Sequence, residues 1–339
     1  MVFTLIIPEF LVAKAFAERT VARKSMDEVK ILKEVDGGSL SEAEISNWTT
    51  AHAFYAEMGG FFIRPYGEGT TDTIVVAAAD ILALRRKGLL RTLPKITAEH
   101  LNDLSNGDMF TKAVAIGQVC WMVVQVVVRA AKGLPITQLE ITTCGFAAST
   151  FLIYLLWWEK PQAVRSATEL PLSTESPEFE LLDSFEVRVF GFYELVATIG
   201  PNRGLRINES MPNETIADVV GERFFVGCLL GGIMLGGVEC AAWYFHFPTN
   251  IELWLWRISS LVTVAASPVV CIAFMLEAYF AEILRIPKSD KVPIVVNYIA
   301  VALFFVARLF ILFETMCSFF HLPPGAFVST WSSSIPHIA

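Results

Sequence analysis

Charged side chains inside apolar runs are the residues of this chain best placed to do chemistry. Glu239 and Arg308 stand within such runs, and Arg129, Glu140 and Glu314 stand at the ends of others. A charge in hydrocarbon is costly, so a residue of this kind faces a protein interior or a cavity and is a functional candidate by default. A carboxyl in an apolar setting holds its proton nearer neutral pH and can deliver it as a general acid. A guanidinium beside it can orient a carboxylate or a hydroxyl.

The apolar runs must position these groups. Five of them, 113–130, 139–158, 224–244, 254–276 and 293–313, reach about twenty residues, the length that crosses a hydrocarbon core of roughly 30 Å. Trp157, Trp158, Trp243, Tyr244, Trp254 and Trp256 mark several ends, where aromatic rings prefer the headgroup level. Helices that alternate in direction bring Arg129, Glu140, Glu239, Arg308 and Glu314 to one membrane face, and Glu277 and Glu282 toward the other. At helical spacing Glu239 shares a face with Gly232 and Gly236, and Gly227/Gly231 and Gly232/Gly236 are small-xxx-small pairs that let helices approach closely. Glu239 is therefore expected to point into the bundle.

Each candidate also has a plainer reading. Glu239 and Arg308 can pair only to hold helices together. Arg308, on the face of Asn297, can instead extend its stem toward the interface. "TQLE", Thr137 to Glu140, reads as a capping box, which would occupy Glu140. Glu314 can sit at the water boundary. Ser260, Thr263, Ser267 and Cys271 form a polar stripe on the fourth run, either a packing seam or a conduit, and Pro268 is expected to kink that helix.

The stretch "HAFYAEMGGF" gathers a histidine, a tyrosine and a glutamate. Ser41 with Glu44 reads as a capping box opening a helix that Gly59 and Gly60 close. In one regular helix Ile45, Trp48, His52 and Tyr55 share a face and Glu57 lies almost opposite. The three polar side chains can then act together as substrate-binding groups only if the glycines unwind the helix end. Otherwise His52 and Tyr55 are packing residues with hydrogen bonds.

Composition agrees with a membrane setting. Of 339 residues 54% are hydrophobic and 18% charged, against about a quarter charged in soluble domains. The net charge of −8 without a basic block gives no sign of nucleic-acid binding. The six cysteines show no metal-site spacing and suggest no disulfide framework. The expected class is all-α: a multi-pass transmembrane bundle of about five spans with a helical N-terminal region. Its segments are an interfacial helix at 1–17, a polar helical region at 18–112, spans one and two at 113–158, a polar loop at 159–223, spans three to five at 224–313, and a tail at 314–339. Basic residues crowd the N-terminal region, the 159–223 loop and 276–292, so the positive-inside rule puts the N-terminus in the cytosol. The sequons at Asn47, Asn208 and Asn213 would then stay unglycosylated. No internal repeat is visible.

Four segments, "HAFYAEMGGF", "GLPITQLEI", "LLWWEKP" and "LPPGAFVSTW", resemble a large group of fungal multi-pass membrane proteins. Within it the chain is similar to the membrane-bound terpene cyclases of meroterpenoid pathways, of the type that acts in ascofuranone biosynthesis on an epoxidised farnesyl chain attached to an aromatic ring. The resemblance covers most of the chain from residue 48 onward, and no catalytic motif carries over position by position. It implies an enzyme of the endoplasmic reticulum, without cofactor or metal, whose partners are the bilayer and a hydrophobic prenylated substrate. No Asp-rich diphosphate motif is present, so the reaction would start by protonation. The residues are compatible with that: Glu239 as acid, Glu140 or Glu314 assisting, Arg308 orienting, Asn297 binding substrate, and Trp121 and Trp243 lining the chamber, where aromatic faces stabilise a carbocation. A small-metabolite transporter using Glu239 and Arg308 as a coupling pair, or a non-catalytic adaptor working through 18–112, are the rival classes.

Overall fold

The structure is a computed structural model. It describes residues 7–35, 42–63, 74–86, 88–90, 92–97, 99, 101, 108–161, 167–171, 222–245, 247–283 and 291–328. Within these, the side chains of 32–35, 42–43, 45, 74–75, 108–109, 111, 222, 267, 270–271, 273–283 and 291–297 are not described. The protein is mostly helical, and it divides into two compact units. One comprises 1–14, 111–155 and 224–339; the other comprises 15–110 and 156–223.

The first unit is built from long apolar helices. α5 runs Asp108–Ala131, α6 Gln138–Leu156, α7 Glu222–Cys240, α8 Asn250–Ile283 and α9 Lys291–Cys317. Among the described residues four stretches are long and apolar enough to cross a membrane: Lys112–Ala131, Gln138–Leu156, Arg223–Tyr244 and Tyr298–His321. The run at 254–276 lies in α8, a helix of 34 residues that contains Pro268; much of the end of that run lies outside the described side chains. At 1.5 Å per residue α8 is about 50 Å long, well beyond the hydrocarbon thickness.

Helix starts follow local chemistry. The Thr137 amide donates to Glu140 Oε2 at 2.8 Å and the Glu140 amide donates to Thr137 Oγ1 at 3.2 Å, the reciprocal cap expected of "TQLE". "TNIE" does the same for α8, with Thr249 N to Glu252 Oε2 at 2.9 Å and Glu252 N to Thr249 Oγ1 at 3.2 Å. Close helix approach falls where α7 lacks side chains. A Cβ on Gly236 would meet the Val264 backbone nitrogen at 2.9 Å, and one on Gly231 would meet the Glu9 Cα at 3.0 Å.

That second contact corrects the expected interfacial helix at 1–17. α1 runs Pro8–Val35, with Pro8 at its first turn. Its opening turns pack within the first unit, where Val12 and Ala13 are fully buried. The run does not end near residue 17 because nothing from Ala17 to Val35 breaks a helix: no Pro or Gly intervenes.

In the second unit the single helix expected from Ser41 to the glycines is two. α2 is Glu42–Asn47 and α3 is Thr50–Glu57. Thr49, in extended conformation, caps α3. Its hydroxyl lies 2.8 Å from His52 Nδ1, and its amide donates to the same nitrogen at 3.2 Å. The hydroxyl and imidazole together satisfy groups that a continuous helix would have bonded internally, so the chain restarts there. Gly59, at φ 84°, closes α3. Gly60 is needed for space, since a Cβ there would lie 2.4 Å from the Tyr55 ring.

The expectation of helices alone also missed a small sheet. β1 (Phe61–Ile63) pairs antiparallel with β2 (Ile74–Val76) and parallel with β3 (Thr168–Glu169). α4, Ala78–Arg86, follows β2. Trp48, Tyr55, Phe61, Ile63, Ile81 and Leu82 form the centre of this unit's core.

Candidate functional site

Glu239 and Arg308 meet. Both side chains are fully buried, and Arg308 Nη1 donates to Glu239 Oε1 in an ion pair. Arg308 therefore does not extend to an interface. Its guanidinium carbon lies 5.1 Å from the centre of the Phe146 ring of α6, a cation–π arrangement. The indole N–H of Trp256, from α8, donates to the Glu239 carbonyl at 3.2 Å. Trp256 is fully buried among Ile141, Ala242, Phe247 and Ile311. Residues of α6, α7, α8 and α9 thus fix this pair.

The fifth contributor is Glu9 of α1, which the sequence reading did not single out. Its side chain is 4% exposed, no other residue donates a hydrogen bond to its carboxyl, and it lies within electrostatic reach of Arg308 and Glu239. Glu239 Oε2 and Arg308 Nε and Nη2 are buried without partners as well. The site therefore holds three acceptor oxygens and two donor nitrogens that no other residue satisfies. Such groups are costly in a dry interior and mark a place where a polar ligand can be bound. A sequence signal was present: Gly227 and Gly231 on α7 call for a close-packing helix, and "PEFLVAKAFA" is alanine-rich enough to be one.

The other members of the expected charged cluster go elsewhere. Glu140 is committed to the Thr137 cap and to Arg129, whose Nε is 3.2 Å from Glu140 Oε1. Arg129 also donates to the carbonyls of Pro135 (2.9 Å), Gly325 (3.4 Å), Ala326 (3.1 Å) and Val328 (3.3 Å), clasping the segment after α9. Glu314 is buried, and the charges it feels are those of Glu252 and His321. Its neighbour Thr315 lies 3.3 Å from Thr142, hydroxyl to hydroxyl. These charged residues thus belong to separate polar clusters rather than one, and Glu140 and Arg129 are claimed by the cap at Thr137 and the clasp at 325–328.

Trp243 packs against Arg257. Its carbonyl accepts from Arg257 Nε at 3.1 Å and Nη2 at 2.8 Å, and its ring centre lies 5.0 Å from the same guanidinium. Trp254 and Tyr244 also flank Arg257. Trp121 is half-exposed on α5, a helix that also exposes Val123, Val124 and Val127. Asn297 falls in α9, but its side chain lies outside the described residues. In α8, Ser260 and Thr263 return their hydroxyls to the carbonyls of Trp256 and Ser259 at 2.9 and 3.0 Å.

His52, Tyr55 and Glu57 belong to the second unit and do not form one reactive centre. His52 Nε2 lies 2.6 Å from the Ile96 carbonyl, and Trp48 stacks on the ring at 5.8 Å. Burial lowers the His52 pKa and the Ile96 carbonyl opposes this. Tyr55 lies 3.2 Å from Thr168, hydroxyl to hydroxyl, and burial raises the pKa of its phenol. Glu57 accepts from the Ala78 amide at 3.2 Å, at the start of α4. Burial pushes its carboxyl up to about 7, the Ala78 hydrogen bond opposing and Asp80, Glu18 and Glu28 adding to the rise. In the same unit Glu18 and Lys160 form a buried ion pair at 2.6 Å, with Lys160 over the Trp157 ring.

No characterised protein and no solved structure matches the chain. A family model matches residues 1–182, which take in Glu9 and everything through α6, and leave Glu239 and Arg308 beyond the match. That is more than half of the 339 residues, and the chain belongs to this family of unknown function (DUF8562).

Proposed function

We propose that this protein is a membrane-bound terpene cyclase. It opens an epoxidised prenyl chain of a meroterpenoid by protonation and closes rings from the resulting cation. The observation that carries the reading is the buried Glu9–Glu239–Arg308 site, with two carboxyls, one guanidinium, and polar atoms on all three that have no partner in the protein. Protonating an epoxide needs a neutral carboxyl inside an apolar enclosure, and two carboxyls beside a single cation favour retaining one proton. A guanidinium with free N–H groups can hold the epoxide oxygen as charge develops. Phe146 lies under the Arg308 guanidinium and the Trp256 indole N–H holds the Glu239 carbonyl, so aromatic rings border the pair.

The four membrane-length helices suit a substrate delivered from the bilayer. The excess of basic residues in the N-terminal region and the 159–223 loop supports a cytosolic N-terminus, and the reaction class supports the endoplasmic reticulum. The test is to express the chain in a microsomal host, supply an epoxy-farnesyl phenol and look for cyclised isomers of unchanged mass. The wild type is expected to produce them and Arg308→Met to lose them. Correctly inserted wild-type protein that yields no isomer rejects the cyclase, and glycosylation at Asn47 rejects the orientation.

A further inference from the structure

The geometry points to Glu9, not Glu239, as the group that carries and delivers the proton in this site; this rests on the cyclase reading for its substrate, though not for the state of the carboxyl. The argument is one of charge. Glu239 and Arg308 are both fully buried and in direct contact, so together they are close to neutral. An ionised Glu9 would add a second negative charge to an enclosure where no other residue donates a hydrogen bond to its oxygens. Burying such a charge costs far more than burying a neutral carboxyl. The charged groups facing Glu9 are Glu239 of α7 and Arg308 of α9. Arg308 favours a charge on Glu9 and Glu239 opposes it, and burial of the carboxyl outweighs both. The proton shared by the two carboxyls therefore resides on the one without a partner.

This divides the labour. Glu239 is a positioning residue that fixes Arg308, and Arg308 Nε and Nη2 remain free to donate to a ligand oxygen. Glu9 then transfers its proton to an epoxide oxygen. The C–O bond to the more substituted carbon breaks as the π electrons of a neighbouring double bond form a new C–C bond. The last cation loses a proton from an adjacent carbon, leaving a double bond, and that proton returns to the Glu9 carboxylate. No atom is gained or lost, so product and substrate are isomers and no co-reactant is needed. The ligand class follows: a neutral, largely apolar molecule with one oxygen acceptor that can receive a proton.

Two readouts on the full-length protein in lipid nanodiscs test this. Infrared spectroscopy should find a protonated-carboxyl carbonyl band that Glu9→Gln removes, Glu9→Asp displaces and Glu239→Asp leaves in place. With the epoxy-farnesyl phenol, Glu9→Gln should lower turnover by roughly 10²–10⁴-fold, the usual loss for a general acid. A band displaced by Glu239→Asp and not by Glu9→Asp overturns the assignment, as does a wild type without the band or a Glu9→Gln variant at wild-type turnover. A wild type that turns over nothing yet carries the band at Glu9 rejects the reaction and keeps the proton assignment.

Discussion

Glu57 gives the sharpest test of whether buried carboxyls in this chain behave as their surroundings dictate. Its side chain is 2% exposed, and Ala78 N–H donates to one oxygen while the other has no partner. Burial moves its pKa from the ordinary 4.5 to about 7. A carboxyl raised on folding binds its proton more tightly in the native state, so its contribution is fully present below pH 4.5 and is lost as pH rises through about 7. At about 1.4 kcal/mol per unit, the native state should lose on the order of 2–3 kcal/mol between pH 5 and pH 8 through this group alone. His52 acts in the opposite sense. Its lowered pKa makes its contribution fall as pH drops through the ordinary histidine range, so the wild type alone is not the right readout. The difference between wild type and Glu57→Gln isolates the carboxyl, because Gln keeps the oxygen facing Ala78 and cannot ionise. Hydrogen exchange of the Ala78 amide and its neighbours in α4 reports the local opening free energy. The wild-type value minus that of Glu57→Gln should fall by about 2–3 kcal/mol from pH 5 to pH 8. A difference that stays constant or grows with pH refutes the reasoning.

Two further perturbations follow from the ion pairs. Lys160→Met removes the buried ion-pair partner of Glu18 and should lower exchange protection along α1 by up to about 3–5 kcal/mol, while Glu18→Gln with Lys160→Met should recover most of it; a double variant as unstable as the single would refute this. Arg129→Ala should release the 325–328 segment and raise its cleavage in limited proteolysis, and Arg129→Lys should restore little, because one ammonium cannot reach carbonyls spread around a planar fork. Unchanged cleavage in Arg129→Ala would mean the clasp does not hold the segment.

What the sequence disclosed depended on the range of each signal. Hydropathy is additive over a window, so α5, α6, α7 and α9 could be read directly. The "TQLE" cap was readable because both partners lie within four residues; "TNIE" carries the same signal and was not singled out. The break before α3 was hidden, since the residue that answers Thr49 is His52 rather than the Glu or Gln a capping box usually employs. Glu239 with Arg308 followed from alternating helix direction and glycine spacing. Glu9 did not, because its helix is too polar on a hydropathy scale to count as part of a bundle, and its partners lie more than 200 residues away. The mistaken gathering of Glu140 and Glu314 has the same origin in reverse. Helix direction fixes which end a residue occupies, while lateral position depends on which helices touch, and that is set by contacts such as Gly231 on Glu9 and Gly236 on Val264.

Two buried glutamates therefore invite comparison, Glu57 in the stretch rich in chemistry-capable residues and Glu9 in the plain one. Glu57 has an assigned task in the fold: it receives the first amide of α4, and a neutral or charged carboxyl can do so. Its cost is offset by a backbone donor that would otherwise be unsatisfied. Glu9 receives no hydrogen bond from another residue, and replacing it by an apolar residue would remove a buried polar group at no loss of a contact between elements. A group that costs stability and gives none back through its fold contacts is the better candidate for chemistry. That argument favours the carboxyl beside Arg308 as the candidate for chemistry and leaves "HAFYAEMGGF" as the packed end of a helix, held by a cap, a stacked tryptophan and a glycine that makes room for Tyr55.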